Sequence, residues 1–160
     1  RVLDKLDVMI IDTGAGIGDH IKMFLNAADD VIVVTVPDPA AITDAYATIK
    51  SISTYRDDIS VIMNQVKNDR EAEAVYGKIK KVAAKNIRKD LNLELIGKIN
   101  NDAKVSSSVK QRALFCSSYP NSTVYNDIIG IANKISIKLE RDVLVSSTES
   151  GLSGLFKRLI

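Results

Sequence analysis

The sequence predicts an α/β protein, a parallel sheet flanked by helices, and three observations carry that expectation. Short runs dominated by Ile, Val, Leu or Met recur near 7–12, 30–36, 59–65 and 93–99. Between them, apolar residues return at three- and four-residue spacing, so strand and helix alternate as in βαβ units. The first run, Val8, Met9, Ile10 and Ile11, is continuous, as in a strand covered on both faces, and stops on Asp12 ahead of Gly14, Gly16 and Gly18.

Taken in order, each element suggests a role. The C-terminal end of a parallel strand is where open α/β sheets bind ligands. Asp12 at that end is a candidate for the water shell of Mg²⁺, which keeps several waters and takes one or two protein oxygens beside phosphates. Gly14 and Gly16 allow backbone to approach a ligand and to move. The same residues also fit a plain strand-to-helix turn with Asp19 as the helix cap. The second run ends in Pro37, Asp38 and Pro39, a rigid loop rather than a carboxylate site. Ile42, Ala45, Tyr46, Ile49 and Ile52 then form one apolar helical face that should cover the sheet. Asn64 closes the third run, as a turn former or as an amide that can both donate and accept. A helix over 71–90 should turn Val75, Ile79, Val82 and Ile87 inward. A last long helix after Pro120 and Asn121 should do the same with Ile128, Ile131, Ala132, Ile135 and Leu139.

Composition sets bounds on function. With 160 residues, 46% hydrophobic and 26% charged, the chain can bury one core without a second domain. A net charge of +2 gives no global field for nucleic acid. The single cysteine, Cys116, excludes an internal disulfide and reads as a partly buried structural thiol, which favours an intracellular setting. His20, the one histidine, has no acid or nucleophile spaced around it as in a triad and reads as structural. No apolar run is long enough to span a membrane, and no signal peptide is recognisable.

The motifs DTGAGIG at 12–18 and VTVPDPAAITDAY at 34–46 are specific, and VIMNQV at 61–66, LIGKINND at 95–102 and the segment 105–115 extend them. Together they resemble the MinD/ParA family of deviant P-loop ATPases, most closely its FlhG type, the MinD-like regulators of flagellar placement and number. The resemblance implies a P-loop NTPase (Rossmann-like) fold that binds Mg and ATP. It implies that Asp12 holds the magnesium shell, that Gly14 and Gly16 belong to the switch that senses the γ-phosphate, and that Asn64 reads adenine. Asn100 is implied for the purine side, although Asn100 and Asn101 stand where the family commonly has a proline and an acidic residue. Asp44 aligns with a dimer and partner surface, or is simply exposed on its helix.

The phosphate cradle G-x-x-x-x-G-K-[ST] and the family's lysine-bearing variant do not occur in these residues. The resemblance therefore implies the C-terminal part of a longer ATPase, a partial fold without its N-terminal strands, carrying no catalytic residue of its own and inactive alone. In this family the phosphate-loop strand lies between the acidic strand and that of 30–36. Without it both neighbours should expose unpaired backbone and apolar surface, favouring strand swapping or self-association.

The domain reading is ATPase portion 1–142, linker 143–150 and amphipathic tail 151–160. In the tail, Leu152, Leu155, Phe156 and Leu159 share a face beside Lys157 and Arg158. Such a helix can lie in an anionic membrane interface, similar to the tail of MinD, or dock on the protein body. Expected partners are a second copy (homodimer), an anionic membrane surface, and by resemblance the FlhF-type GTPase and flagellar switch proteins, with a cytoplasmic protein peripheral on the inner face of the cell membrane. Lys78, Lys80, Lys81, Lys85, Arg88 and Lys89 crowd one helix, but acidic residues flank them and no aromatic platform is interleaved, so a solvated face is expected rather than a DNA site. The alternatives are a ParA-type chromosome or plasmid partitioning ATPase and a noncatalytic adaptor of the same fold.

Overall fold

The computed structural model describes residues 8–14, 16 and 18–149, with side chains described as far as residue 140. The element order is α1 (Asp19–Ala27), β1 (Ile32–Thr35), α2 (Pro39–Ile52), β2 (Asp58–Val66), α3 (Asp69–Asn86), β3 (Asn92–Asn100), α4 (Ala103–Lys110), α5 (Phe115–Ser118) and α6 (Thr123–Glu149). The strands form a three-stranded sheet in the order β1-β2-β3 with both pairs parallel, Val33 opposite Val61 and Val61 opposite Leu95. The expected α/β class and three of the four expected strands are thus present.

β2 is central and its residues 59–63 are all buried, as a strand covered on both faces must be. One face packs under α2 and α3, where Val33, Ile49, Ile52, Ile59, Ile79 and Leu93 belong to the main core cluster. On the other face Ile62 and Ile96 meet Ile131 of α6. Contact there is close enough to require glycine: a Cβ on Gly97 would sit 2.2 Å from Ile131 Cγ1.

Local chemistry starts the helices. Asp38 caps α2 by accepting from the backbone N–H of Ala40 and Ala41, with Pro39 at the first helical position, where its missing N–H costs nothing. Asn68 caps α3 by accepting from Glu71 N–H at 2.9 Å, and Glu71 in turn accepts from Lys67 N–H. These caps place the start of α3 ahead of the expected residue 71, and the helix stops at Asn86 rather than 90.

Several expectations are corrected. Residues 8–12 are not a strand, and Ile10 is 91% exposed. A strand is held by a hydrogen-bonded neighbour, and the phosphate-loop strand expected between 7–12 and β1 has no counterpart among the described residues. Along β1, Ile32 and Val34 are exposed while Val33 and Thr35 are buried, so one face of that strand lacks a covering layer. Val82 is exposed because α3 turns Val75, Ile79 and Ala83 inward at four-residue spacing, which puts Val82 off the contact line. Ala132 is exposed one position past the buried Ile131. Asp19 is not the cap of α1; Gly18 holds that position without a side-chain bond, and Asp19 pairs with Lys22 at 3.1 Å instead. The backbone of α6 continues as helix through 143–149, the stretch read as a linker. The tail residues Leu152, Leu155, Phe156, Lys157, Arg158 and Leu159 lie outside the described residues.

Candidate nucleotide site

Three loops gather at the carboxyl end of the sheet, the end at which open α/β sheets bind ligands. The first is Pro37 and Asp38, already committed to capping α2. The second follows a disruption of β2, where pairing shifts between Met63 and Val66 and Gln65 takes φ 54. Asn64 sits in this bulge, half-buried, and its Oδ1 accepts from Gln65 N–H at 2.8 Å. Bulges re-aim side chains beside sites, and here the distortion takes Asn64 out of the regular ladder. The third loop leaves β3 at Asn100, which is paired with Val66, and Asn101 N–H bonds to Val66 O at 2.9 Å. Asn64 and Asn100 therefore lie at the same end of adjacent strands. Asp102 caps α4 through Lys104 N–H at 2.8 Å.

Sequence reasoning missed a charged brace beside Asn100. Asp127 of α6, with its side chain 13% exposed, accepts through Oδ2 from both Asn100 N–H at 2.9 Å and Asn100 Nδ2 at 2.8 Å. Lys98 Nζ lies 2.7 Å from Asp69 and 3.6 Å from Asp127, so one ammonium ties α3, β3 and α6 together. Burial is the largest single influence on Lys98 and pulls its pKa down, but the hydrogen bond to Asp69 and the charges of Asp127 and Asp69 outweigh it, and the pKa is raised above 10.5. The sequence signal for Asp127 is its position, four residues before the inward-facing Ile131.

Asp12 stands apart. Its carboxylate is exposed and one oxygen accepts from Gly14 N–H at 3.3 Å, a local turn. Gly14 and Gly16 adopt φ 66 and 119, conformations that glycine takes freely. Among the described residues no hydrogen bond joins this loop to Asn64 or Asn100, and no group of three or more His, Cys, Asp or Glu is placed to hold a metal. The donor set nevertheless fits magnesium bound through water, which asks the protein for only one or two oxygens, and one Asp12 oxygen is left for it. Asp44 is exposed on α2.

Two cavities open on the surface of the described residues. One of about 270 Å³ lies beside the start of α4, lined by Lys104, Tyr119, Pro120, Asn121 and Ser122, with Lys104 Nζ 5.5 Å from the Tyr119 ring centre. The other, about 360 Å³, is lined by Asp29, Asp30, Asp57, Asp58 and Lys138 among others. It precedes β1 and β2, at the amino end of the sheet, away from the ligand end.

Comparison with known proteins identifies this architecture. Residues 2–136 match the ParA family, described as NUBPL iron-transfer P-loop NTPase. The chain belongs to the ParA family of P-loop NTPases. Within it, the chain is 42% identical over 99% of its length to the flagellum site-determining protein YlxH of Helicobacter pylori, covering 53% of that protein. It is 34% identical over 84% of its length to the antiactivator FleN of Pseudomonas aeruginosa, covering 48% of it. An uncharacterised ATP-binding protein of Methanocaldococcus jannaschii is 28% identical over 94% of the chain. The chain thus spans about half the length of the curated relatives it matches. Among the described residues of this ParA-family chain, no helix is long and apolar enough to cross a membrane.

Proposed function

We propose that the protein to which these residues belong is a MinD-like ATPase of the FlhG type that governs flagellar placement or number. The observation that carries this reading is the 42% identity to a flagellum site-determining protein across almost the whole chain. The bulged Asn64 beside Asn100, at the ligand end of a parallel sheet, supports its nucleotide-binding part.

In this reading the phosphate loop is supplied by the part of the protein outside these residues. Asp12 holds the water shell of magnesium, whose chemistry when bound is to neutralise charge developing on the phosphates. Gly14 and Gly16 adjust the backbone to the γ-phosphate, a movement their left-handed conformations permit. Asn64 and Asn100 contact adenine. ATP-driven dimerisation, with Asp44 near the dimer or partner surface, doubles a weak membrane anchor formed by Leu152, Leu155, Phe156, Lys157, Arg158 and Leu159. An FlhF-type GTPase and flagellar switch proteins are the partners this role calls for.

In the whole protein, Asp12→Ala abolishes magnesium-dependent ATP hydrolysis; unchanged turnover removes Asp12 from the site. Co-sedimentation with anionic vesicles is expected with ATP and not with ADP, and is lost in a version ending at Ser150. Absence of vesicle binding with either nucleotide overturns the membrane role. A partitioning ATPase is the second reading. It draws on exposed Lys78, Lys80, Lys81 and Lys85 of α3 and on 26% identity to a virulence plasmid ParA family protein of Chlamydia psittaci. Loss of DNA retention on replacing those lysines is its test.

A further inference from the structure

The brace around Asn100 has a chemical consequence for base choice. A carboxylate only accepts hydrogen bonds, so the group that Asn100 turns toward Asp127 Oδ2 has to be its Nδ2, which lies at 2.8 Å. The Asn100 backbone N–H donates to the same oxygen, and Lys98 sits against the other oxygen of that carboxylate, so Asp127 is held from two sides. Among the described residues Asn100 Oδ1 has no partner, and the amide presents it as an acceptor. Asn64 is oriented in the opposite sense: its Oδ1 accepts from Gln65 N–H, and its Nδ2 has no partner among the described residues and can donate.

Resting on the nucleotide reading above, we propose that Asp127 is a positioning residue for base selection. It locks Asn100 as a hydrogen-bond acceptor beside the donor of Asn64, a pair that fits adenine and rejects guanine. Adenine carries an amino donor at its 6-position next to a ring-nitrogen acceptor, whereas guanine carries a 6-oxo acceptor there. A locked Oδ1 facing that oxygen leaves two acceptors opposed with no proton between them. A freely rotating amide turns to suit either base, so selectivity resides in the lock and not in Asn100 alone.

The test is the ratio of dissociation constants for fluorescent GTP and ATP analogues, measured with magnesium on the whole protein. Wild type prefers ATP, and Asp127→Ala lowers the preference by roughly tenfold, about what one good base contact is worth. Asn100→Ala lowers it equally, and the double variant no further, because both remove one interaction. Lys98→Gln, which weakens the brace but keeps the Asp127 carboxylate on Asn100, retains the preference. Asp127→Asn, whose side-chain oxygen can still accept from Asn100, restores most of it. General damage to the fold weakens both nucleotides together and leaves the ratio unmoved. An unmoved ratio in Asp127→Ala, alongside a fallen one in Asn100→Ala, overturns the proposal while sparing the nucleotide reading. Wild type that binds neither nucleotide overturns both.

Discussion

Residues 8–11, Val-Met-Ile-Ile, and residues 61–63, Val-Ile-Met, are nearly the same in composition and end in opposite states. Val61 and Met63 are 0% exposed, whereas Ile10 is 91% exposed and Met9 62%. Both segments precede a polar residue to which the proposed function gives a ligand role, Asp12 in one and Asn64 in the other. The difference lies in their neighbours. β2 has a strand on each side and helices on each face, while 8–12 has no strand beside it among the described residues. Apolar sequence supplies the capacity for burial; only a hydrogen-bonded neighbour and a covering layer turn it into a strand.

The most forceful way to break this comparison is to remove matching volume from both runs. Met63→Ala should lower stability by about 2–5 kcal/mol in urea denaturation, because it empties a fully packed site. Ile10→Ala in the same chain should stay within about 0.5 kcal/mol, as expected of an exposed side chain. Comparable losses from the two would show that 8–11 is buried after all. Gly97→Ala tests the covering layer: the new Cβ drives against Ile131, and overpacking should cost about 1–3 kcal/mol, read from the urea midpoint at unchanged slope. A smaller effect, about 1 kcal/mol, is expected from Asp38→Ala, which strips two backbone N–H groups at the start of α2 of their acceptor.

The smallest effect separates the braced end of the sheet from the unbraced one. Since the Lys98 pKa is raised in the folded chain, its pairing with Asp69 and Asp127 stabilises fully below the ordinary value of 10.5. That contribution is lost as pH rises through the higher folded value. Stability of the native chain should therefore fall across that alkaline window more steeply than that of Lys98→Met. Parallel pH profiles would refute the brace.

Much of this was legible in the sequence because it depends on local pattern. Continuous apolar runs gave β1, β2 and β3, and the spacing of Ala45, Ile49 and Ile52 gave the buried face of α2. Besides the strand expected at 8–12, the misses are of two kinds. Val82, Ala132 and Asp19 were displaced by a shift of one residue in helical phase or cap position, which apolar content alone does not determine. The Asn100, Asp127 and Lys98 cluster was invisible because its members meet only when α6 crosses β3; Asn100 and Asp127 are 27 residues apart. For the site, Asn64 and Asn100 lie at the same end of adjacent strands, while Asp12 stands apart beside a segment that has no strand next to it among the described residues.

Hydrogen exchange at the amides of 8–12 tests this most directly, in the 160-residue chain and in the whole protein with Mg-ATP. Fast exchange in the first and strong protection in the second is the expected result, with residue 61 and residue 63 protected in both. Protection of 8–12 in the 160-residue chain, or fast exchange there in the nucleotide-loaded whole protein, would contradict the account.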